Sequence, residues 1–139
     1  MTVPGCPDCE PLPVRAVTNA GPKPLVYVAG PITGNPFGCV RQAVDAFRWL
    51  REAGTVPFLP QLSVLHEMVQ PEGYEEWLAY DFDVLERCDA LVRLPGESPG
   101  ADREVVHARS LRLPIFYVHE DPEPTALLVA AWVSDRSRP

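Results

Sequence analysis

The sequence is short of basic residues and of long apolar runs. Its 139 residues contain 12 Lys and Arg against 19 Asp and Glu, which gives a net charge of −7. A surface that coats a nucleic-acid polymer needs clustered positive charge, so we expect no such partner. No apolar stretch approaches the roughly 20 residues of a membrane-spanning helix, so we expect no membrane partner. Neither absence excludes a small anionic ligand, because backbone amides alone can hold one.

The N-terminal residues lack the basic region and apolar core of a signal peptide, which predicts a cytoplasmic protein. Residues 1–24 contain six prolines and no sustained periodicity. This composition predicts a poorly ordered tail that leads into one domain over residues 25–139. With 46% hydrophobic residues, the chain is long enough to bury a core.

Cysteine is also scarce, and only Cys6 and Cys9 form a closely spaced pair among four cysteines. A Cys-x-x-Cys spacing occurs in zinc knuckles and in redox sites. A structural zinc needs a second group of ligands, and a redox pair normally lies between a strand and a helix. An inert tail is therefore favoured over a zinc site or a redox site, and we expect no metal and no cofactor. Cys39 and Cys88 are expected to be small buried residues.

From Leu25 onward, short apolar segments alternate with stretches of helical periodicity. Strands are predicted at residues 25–29, 56–59, 89–94 and 114–118, and helices at 37–53, 73–87, 101–111 and 125–133. This alternation predicts an α/β fold, a Rossmann-like (flavodoxin-like) three-layer sandwich. Its sheet should be mainly parallel, with four to five strands.

The first predicted strand ends abruptly in a segment with few large side chains, and residues 26–36 read VYVAGPITGNP. In parallel sheets, ligands bind beyond the C-terminal ends of the strands. We therefore expect a ligand to approach this loop closely, together with the turn after Leu94. The candidate binding residues in the loop are Gly30, Pro31, Ile32, Thr33, Gly34 and Asn35.

The turn after the third predicted strand contains Ser98 and Gly100 at the start of a helix. These residues could hold a phosphate at the helix N-terminus, or Ser98 could simply cap the helix. Glu104 could complement the helix dipole. Asp81 could be a solvated surface acid, and Tyr27 a core residue.

In their order and spacing these segments resemble the nucleoside 2-deoxyribosyltransferase superfamily, including its nucleoside 5′-monophosphate N-glycosidase branch. The matching motifs are residues 27–34 (YVAGPITG), residues 94–104 (LPGESPGADRE), and Asp81 eight residues before Asp89. The motif sequences most resemble those of small bacterial and phage members of the superfamily. The resemblance covers about residues 25–118.

The resemblance implies a role for each motif. Glu104 would be the nucleophile at the anomeric carbon, Asp81 would orient it or relay a proton to the departing base, and Tyr27 would contact the carboxylate or the sugar. Glycine and threonine in the first loop would contact the sugar or its 5′ group. A carboxylate beneath the ring suits an oxocarbenium-like state, and a protonated acid helps the base to leave.

Ser98 stands six residues before the implied nucleophile. Transferases of this superfamily typically have an Asp there, whereas the monophosphate hydrolases have a Ser that contacts the 5′-phosphate. The resemblance thus favours hydrolysis of a nucleoside 5′-monophosphate. Val106 replaces a common glycine and could narrow the packing under the site, and the first loop lacks the arginine of the hydrolases. These departures leave a non-catalytic nucleotide-binding or sensor module as the alternative.

The remaining candidates are aromatic residues near Asp81 and a histidine near Glu104. Trp77 and Tyr80 could wall a base pocket or pack in the core. His107 could share the helix face of Glu104 or lie on the surface. The resemblance also implies a homodimer or a larger homo-oligomer, for which residues 125–132 are either an interface or a cover for the sheet.

Overall fold

A computed structural model describes residues 22–137 of the chain. The expectations for the Cys6 and Cys9 pair, and for most of the proline-rich tail, lie outside the described residues. The elements in chain order are β1 (Leu25–Ala29), α1 (Pro36–Glu52), β2 (Val56–Phe58), a 3-10 turn (Pro60–Leu62), α2 (Ser63–Val69), α3 (Tyr74–Leu85), β3 (Ala90–Arg93), α4 (Pro99–Ser110), β4 (Ile115–Tyr117) and α5 (Glu123–Arg136).

The described strands form one parallel sheet in the order β2-β1-β3-β4, which confirms the predicted fold class. From β1 the chain passes to β2 on one side of the sheet, and it later returns to β3 on the other side. The loops after β1 and β3 therefore diverge at a topological switch point. This is the edge of the sheet at which ligands bind in open α/β proteins.

Alternation along β1 divides its side chains between the two faces of the sheet. Val26 and Val28 pack in a cluster with residues of α1 and α5, such as Leu50 and Val129. Tyr27 and Ala29 point to the other face and pack in a cluster with residues of α3 and α4. The result is a three-layer sandwich in which Tyr27 faces α4.

The segment between β2 and α3 was not predicted to be helical, yet it contains the 3-10 turn and α2. Helix α2 is only seven residues long and buries none of them, and so short a segment gives no clear helical period in the sequence. Pro57 lies within β2 and pairs with Val26. A proline is tolerated there because β2 is an edge strand.

Helix α5 covers the sheet, as one of the two sequence interpretations proposed. Val129 is fully buried, and the Thr125 hydroxyl donates to the Tyr117 carbonyl at 2.8 Å. Cys88 is buried as expected, whereas Cys39 is only half-buried. Among residues 22–137, no helix has the length and hydropathy of a membrane-spanning segment.

Candidate active site

A cleft of about 800 Å³ opens where β1 and β3 end. Its walls come from the loop after β1, from α2 and α3, and from the first turns of α4. The cleft brings together nine of the candidate residues: Gly30, Ile32, Thr33, Gly34, Trp77, Asp81, Ser98, Gly100 and Glu104.

At the bottom of this cleft, the Tyr27 hydroxyl donates a hydrogen bond of 2.8 Å to Oε1 of Glu104. Tyr27 is fully buried, and Glu104 is only 6% exposed. The two residues are 77 positions apart in the chain. Because Tyr27 belongs to a central strand with fixed register, its hydroxyl fixes the Glu104 carboxyl in one orientation.

The electrostatics of the cleft make two carboxyl groups titrate near neutral pH. Burial raises the pKa of Glu104 to about 8, and the nearby Asp81 carboxylate adds to this rise, whereas Tyr27 and Arg93 oppose it. Burial also raises the pKa of Asp81 to about 7. Burial and the Glu104 charge raise the pKa of Tyr27 above its ordinary range, so its hydroxyl stays a donor. Two such carboxyl groups can hold one proton between them.

Arg93 was not predicted as a site residue, although it ends an otherwise apolar strand. Its buried guanidinium donates to the carbonyls of Leu94 and Gly96, and to Oδ1 of Asp102 at 3.0 Å. These bonds tie the loop after β3 to the first turn of α4. The positive charge also lowers the pKa of Glu104. The feature of the sequence that could have identified Arg93 is its positive charge inside the otherwise mainly apolar strand segment DALVRL.

Ser98 is the N-cap of α4, because its Oγ accepts from the Ala101 N–H at 3.1 Å. It also lines the cleft. Ser98 therefore both caps α4 and borders the space in which a ligand would bind. Asn35 caps α1 through the Gly38 N–H at 3.1 Å and is not among the cleft-lining residues. Pro31 lies against Gly96, also outside the lining.

Three other candidates lie away from the cleft. His107 stacks on Phe82 at 4.4 Å and reaches Glu86 at 3.2 Å, where α4 packs against the C-terminal end of α3. Val106 is 64% exposed and therefore does not narrow the packing under Glu104, because positions two apart on a helix point in nearly opposite directions. Tyr80 is exposed, whereas Trp77 lines the cleft.

On one wall of the cleft, α3 and Trp77 were predicted from the sequence, whereas the seven-residue helix α2 was not. This wall brings Glu67, Met68 and Glu72 to the cleft beside Trp77. The described lining residues include four carboxyl groups and no Lys, Arg or His. Within the described part of the chain, no group of His, Cys, Asp and Glu side chains is arranged to hold a metal ion.

Residues 24–117 match the family described as Domain of unknown function (DUF4406). The chain belongs to the DUF4406 family. No curated protein matches this DUF4406 chain in sequence.

Solved structures with the same fold include two 2-deoxyribosyltransferases. The enzyme from Leishmania mexicana is 20% identical with a TM-score of 0.56, over 72% of this chain and 66% of that one. The enzyme from Bacillus psychrosaccharolyticus is 21% identical with a TM-score of 0.50, over 67% and 70%. The DUF4406 chain thus spans about two thirds of the length of the Leishmania enzyme.

A third similar structure is the CMP N-glycosidase BcmB of Clostridium botulinum, which is 18% identical with a TM-score of 0.49, over 76% of this chain and 82% of that one. The likeness to the two transferases confirms the nucleoside 2-deoxyribosyltransferase-like fold that the sequence resemblance implied.

The raised pKa of Glu104 predicts a pH-dependent cost of folding for the DUF4406 chain. The folded-state pKa of about 8 lies above the ordinary 4.5, so the folded state binds this proton more tightly. The free energy of unfolding should then fall between about pH 4.5 and pH 8, by up to about 1.4 kcal/mol per pH unit. Glu104→Gln removes this term and should gain stability over the native chain as pH rises.

Urea denaturation of both proteins across this pH range measures the difference. Glu76→Gln, an exposed change on α3, is the matched control and should show a constant difference from the native chain. A Glu104→Gln difference that does not vary with pH would contradict the buried, raised carboxyl.

Proposed function

We propose that this chain is an enzyme that acts on the N-glycosidic bond of a nucleoside or deoxynucleoside 5′-monophosphate, by hydrolysis or by base transfer. The observation that carries the proposal is the buried Glu104 carboxyl, held by the Tyr27 hydroxyl at the bottom of a cleft that Asp81 also lines. The fold shared with two 2-deoxyribosyltransferases supports the same class of reaction.

In the first step, the Glu104 carboxylate attacks C1′ of the sugar from the face opposite the base. A C1′–O bond forms and the C1′–N bond breaks, and its electron pair leaves with the base. Protonated Asp81 gives its proton to the departing base, either directly or through water. Glu104 is left as a glycosyl ester.

In the second step, water attacks C1′ and Asp81 takes its proton. The ester bond breaks and the Glu104 carboxylate is regenerated, while the free sugar phosphate leaves. A second base in place of water would give transfer instead. Tyr27 is positioned to orient the attacking carboxylate through both steps, and its burial keeps it protonated.

The 5′-phosphate is proposed to lie at the N-terminus of α4. Ser98 and Gly100 are there, and Thr33 and Gly34 of the loop after β1 line the same cleft. Because no described lining residue is a cation, the free N–H groups and the dipole of α4 must supply the positive potential. The Glu67 and Glu72 carboxyl groups in the cleft lining favour placing the base, rather than the phosphate, beside them.

We also keep the homo-oligomer and the cytoplasmic location as predictions. Leu127 and Leu128 on α5 are 66% and 62% exposed, which supports an apolar contact between copies. Light scattering on the purified chain measures the oligomeric state directly.

Base release from nucleotides should depend on Glu104. Glu104→Gln and Glu104→Ala should each lower the rate by at least about 10³-fold, since both remove the attacking carboxylate. Chromatography of free base from a panel of nucleotides and nucleosides measures the rate. Retained turnover in either variant would refute the role of Glu104. Nucleotide binding without any base release by the native chain would identify the non-catalytic module instead.

The pH dependence of kcat/KM should be bell-shaped, with its maximum between about pH 7 and pH 8. The lower limb appears because Glu104, with its pKa of about 8, must lose its proton to attack. The upper limb appears because Asp81, with its pKa of about 7, must keep its proton to assist the base. Since the pKa of Glu104 is the higher of the two, the productive form, with Glu104 ionised and Asp81 protonated, is the minor singly protonated form, and its maximum still lies between the two pKa values. Initial rates at fixed ionic strength measure the profile, and a flat profile across this range would contradict the two roles.

Ser98→Asp tests the phosphate position, because aspartate preserves the helix cap but adds negative charge. The variant should lose at least about tenfold in kcat/KM for a monophosphate, given the strength of charged hydrogen bonds. Its rate with the matching nucleoside should change little. If the native chain reacts faster with nucleosides, or if Ser98→Asp slows both substrates equally, the phosphate does not lie at α4.

A further inference from the structure

The chemistry proposed above does not use the outer wall of the cleft, which we define as Glu67, Met68, Glu72 and Trp77. These residues belong to α2, to the loop after it, and to α3, and all four line the cleft. The reaction needs Glu104 and Asp81 on the inner side only. The outer wall is therefore available for recognition of the substrate.

Within this wall, Glu67 is held in one orientation. Its Oε1 accepts a hydrogen bond from the Glu72 backbone N–H at 2.9 Å and a second from the Trp77 indole N–H. The Glu72 N–H, followed by Trp77, lowers the pKa of Glu67, so the side chain is ionised at neutral pH. Among the described residues, Oε2 has no hydrogen-bond partner, and it offers acceptor capacity only.

The position of Glu67 relative to the reacting bond follows from α3. Asp81 and Trp77 are four residues apart and both line the cleft, so they are separated by about one helical turn of 5.4 Å. With Asp81 serving the nitrogen that leaves C1′, the base is proposed to lie along α3 on the Trp77 side of Asp81. A six-membered ring is comparable in size to this separation. The far edge of the base then reaches Trp77 and the Glu67 beside it.

Trp77 is itself fixed, because His66 contacts its ring edge-on at 4.9 Å and Tyr80 does so at 6.0 Å. Its indole N–H is already donated to Glu67. The indole thus supplies an apolar surface, while the polar recognition at this position is left to Glu67.

Resting on the function proposed above, we propose that Glu67 selects nucleobases that carry an exocyclic amino group at the edge far from the sugar. Cytosine and adenine present an N–H donor there, which the free carboxylate oxygen accepts. Uracil and hypoxanthine present a carbonyl oxygen, which the carboxylate repels and leaves unpaired. Glu67 is thereby a specificity-determining residue.

The test compares CMP with UMP and AMP with IMP, by calorimetric binding to Glu104→Gln and by base release from the native chain. The amino member of each pair should be favoured by roughly tenfold or more. Adding Glu67→Gln should abolish or reverse the preference, because Oε1 of the amide still accepts from Trp77 and Glu72 while its NH2 now faces the cleft as a donor. Glu76→Gln, an exposed change on α3 outside the cleft, should leave the preference intact.

Equal affinity for the members of each pair, no binding of either, or an unchanged preference in Glu67→Gln would each overturn the proposal. If Glu67→Gln folds poorly, the comparisons of CMP with UMP and of AMP with IMP on chains that keep Glu67 still test the proposal. Base release without an amino preference would refute the role of Glu67 and leave the proposed reaction standing. An amino preference in binding without base release would refute the reaction and leave the role of Glu67 standing.

Discussion

The hydrogen bond between the Tyr27 hydroxyl and Glu104 is the interaction on which the site depends. It joins the central strand β1 to helix α4 across 77 positions of sequence, inside the core. Because both partners are buried, the strand register and the helix packing together fix where the carboxyl points. The loops after β1 and β3, which border the cleft, are positioned by the same two elements.

The burial of Glu104 and Asp81 sets the acid–base chemistry of the site and also lowers the stability of the fold at higher pH. Removing Glu104 and Asp81 from water raises both pKa values toward neutrality, which favours the protonated forms and works against folding at higher pH. Arg93 opposes this rise for Glu104 while it ties the loop after β3 to α4. A carboxyl pair that shares a proton can supply an attacking base and an acid in the same cleft.

The sequence predicted most of the sandwich because the central strands are buried on both faces and give short apolar runs, whereas most of the helices bury one face and give a periodic pattern. Helix α2 was not predicted because its seven residues are too few for a clear helical period, and Glu67 was therefore missed as well. Asp81 and Glu104 could be paired only through motif spacing, since each alone resembles a surface acid. Asn35 and Pro31 were proposed because a turn rich in small and polar residues suggests a ligand; in the structure Asn35 caps α1 and Pro31 packs on Gly96.

The central claim, that Glu104 attacks the sugar, is tested most directly by trapping the glycosyl ester. A 2′-fluoro nucleoside 5′-monophosphate slows hydrolysis of the ester by destabilising the oxocarbenium-like state. After incubation, mass spectrometry of the intact chain and of its peptides should show one fluorosugar phosphate attached, located on Glu104. Release of the base with no adduct on the chain, or an adduct on another residue, would contradict the account.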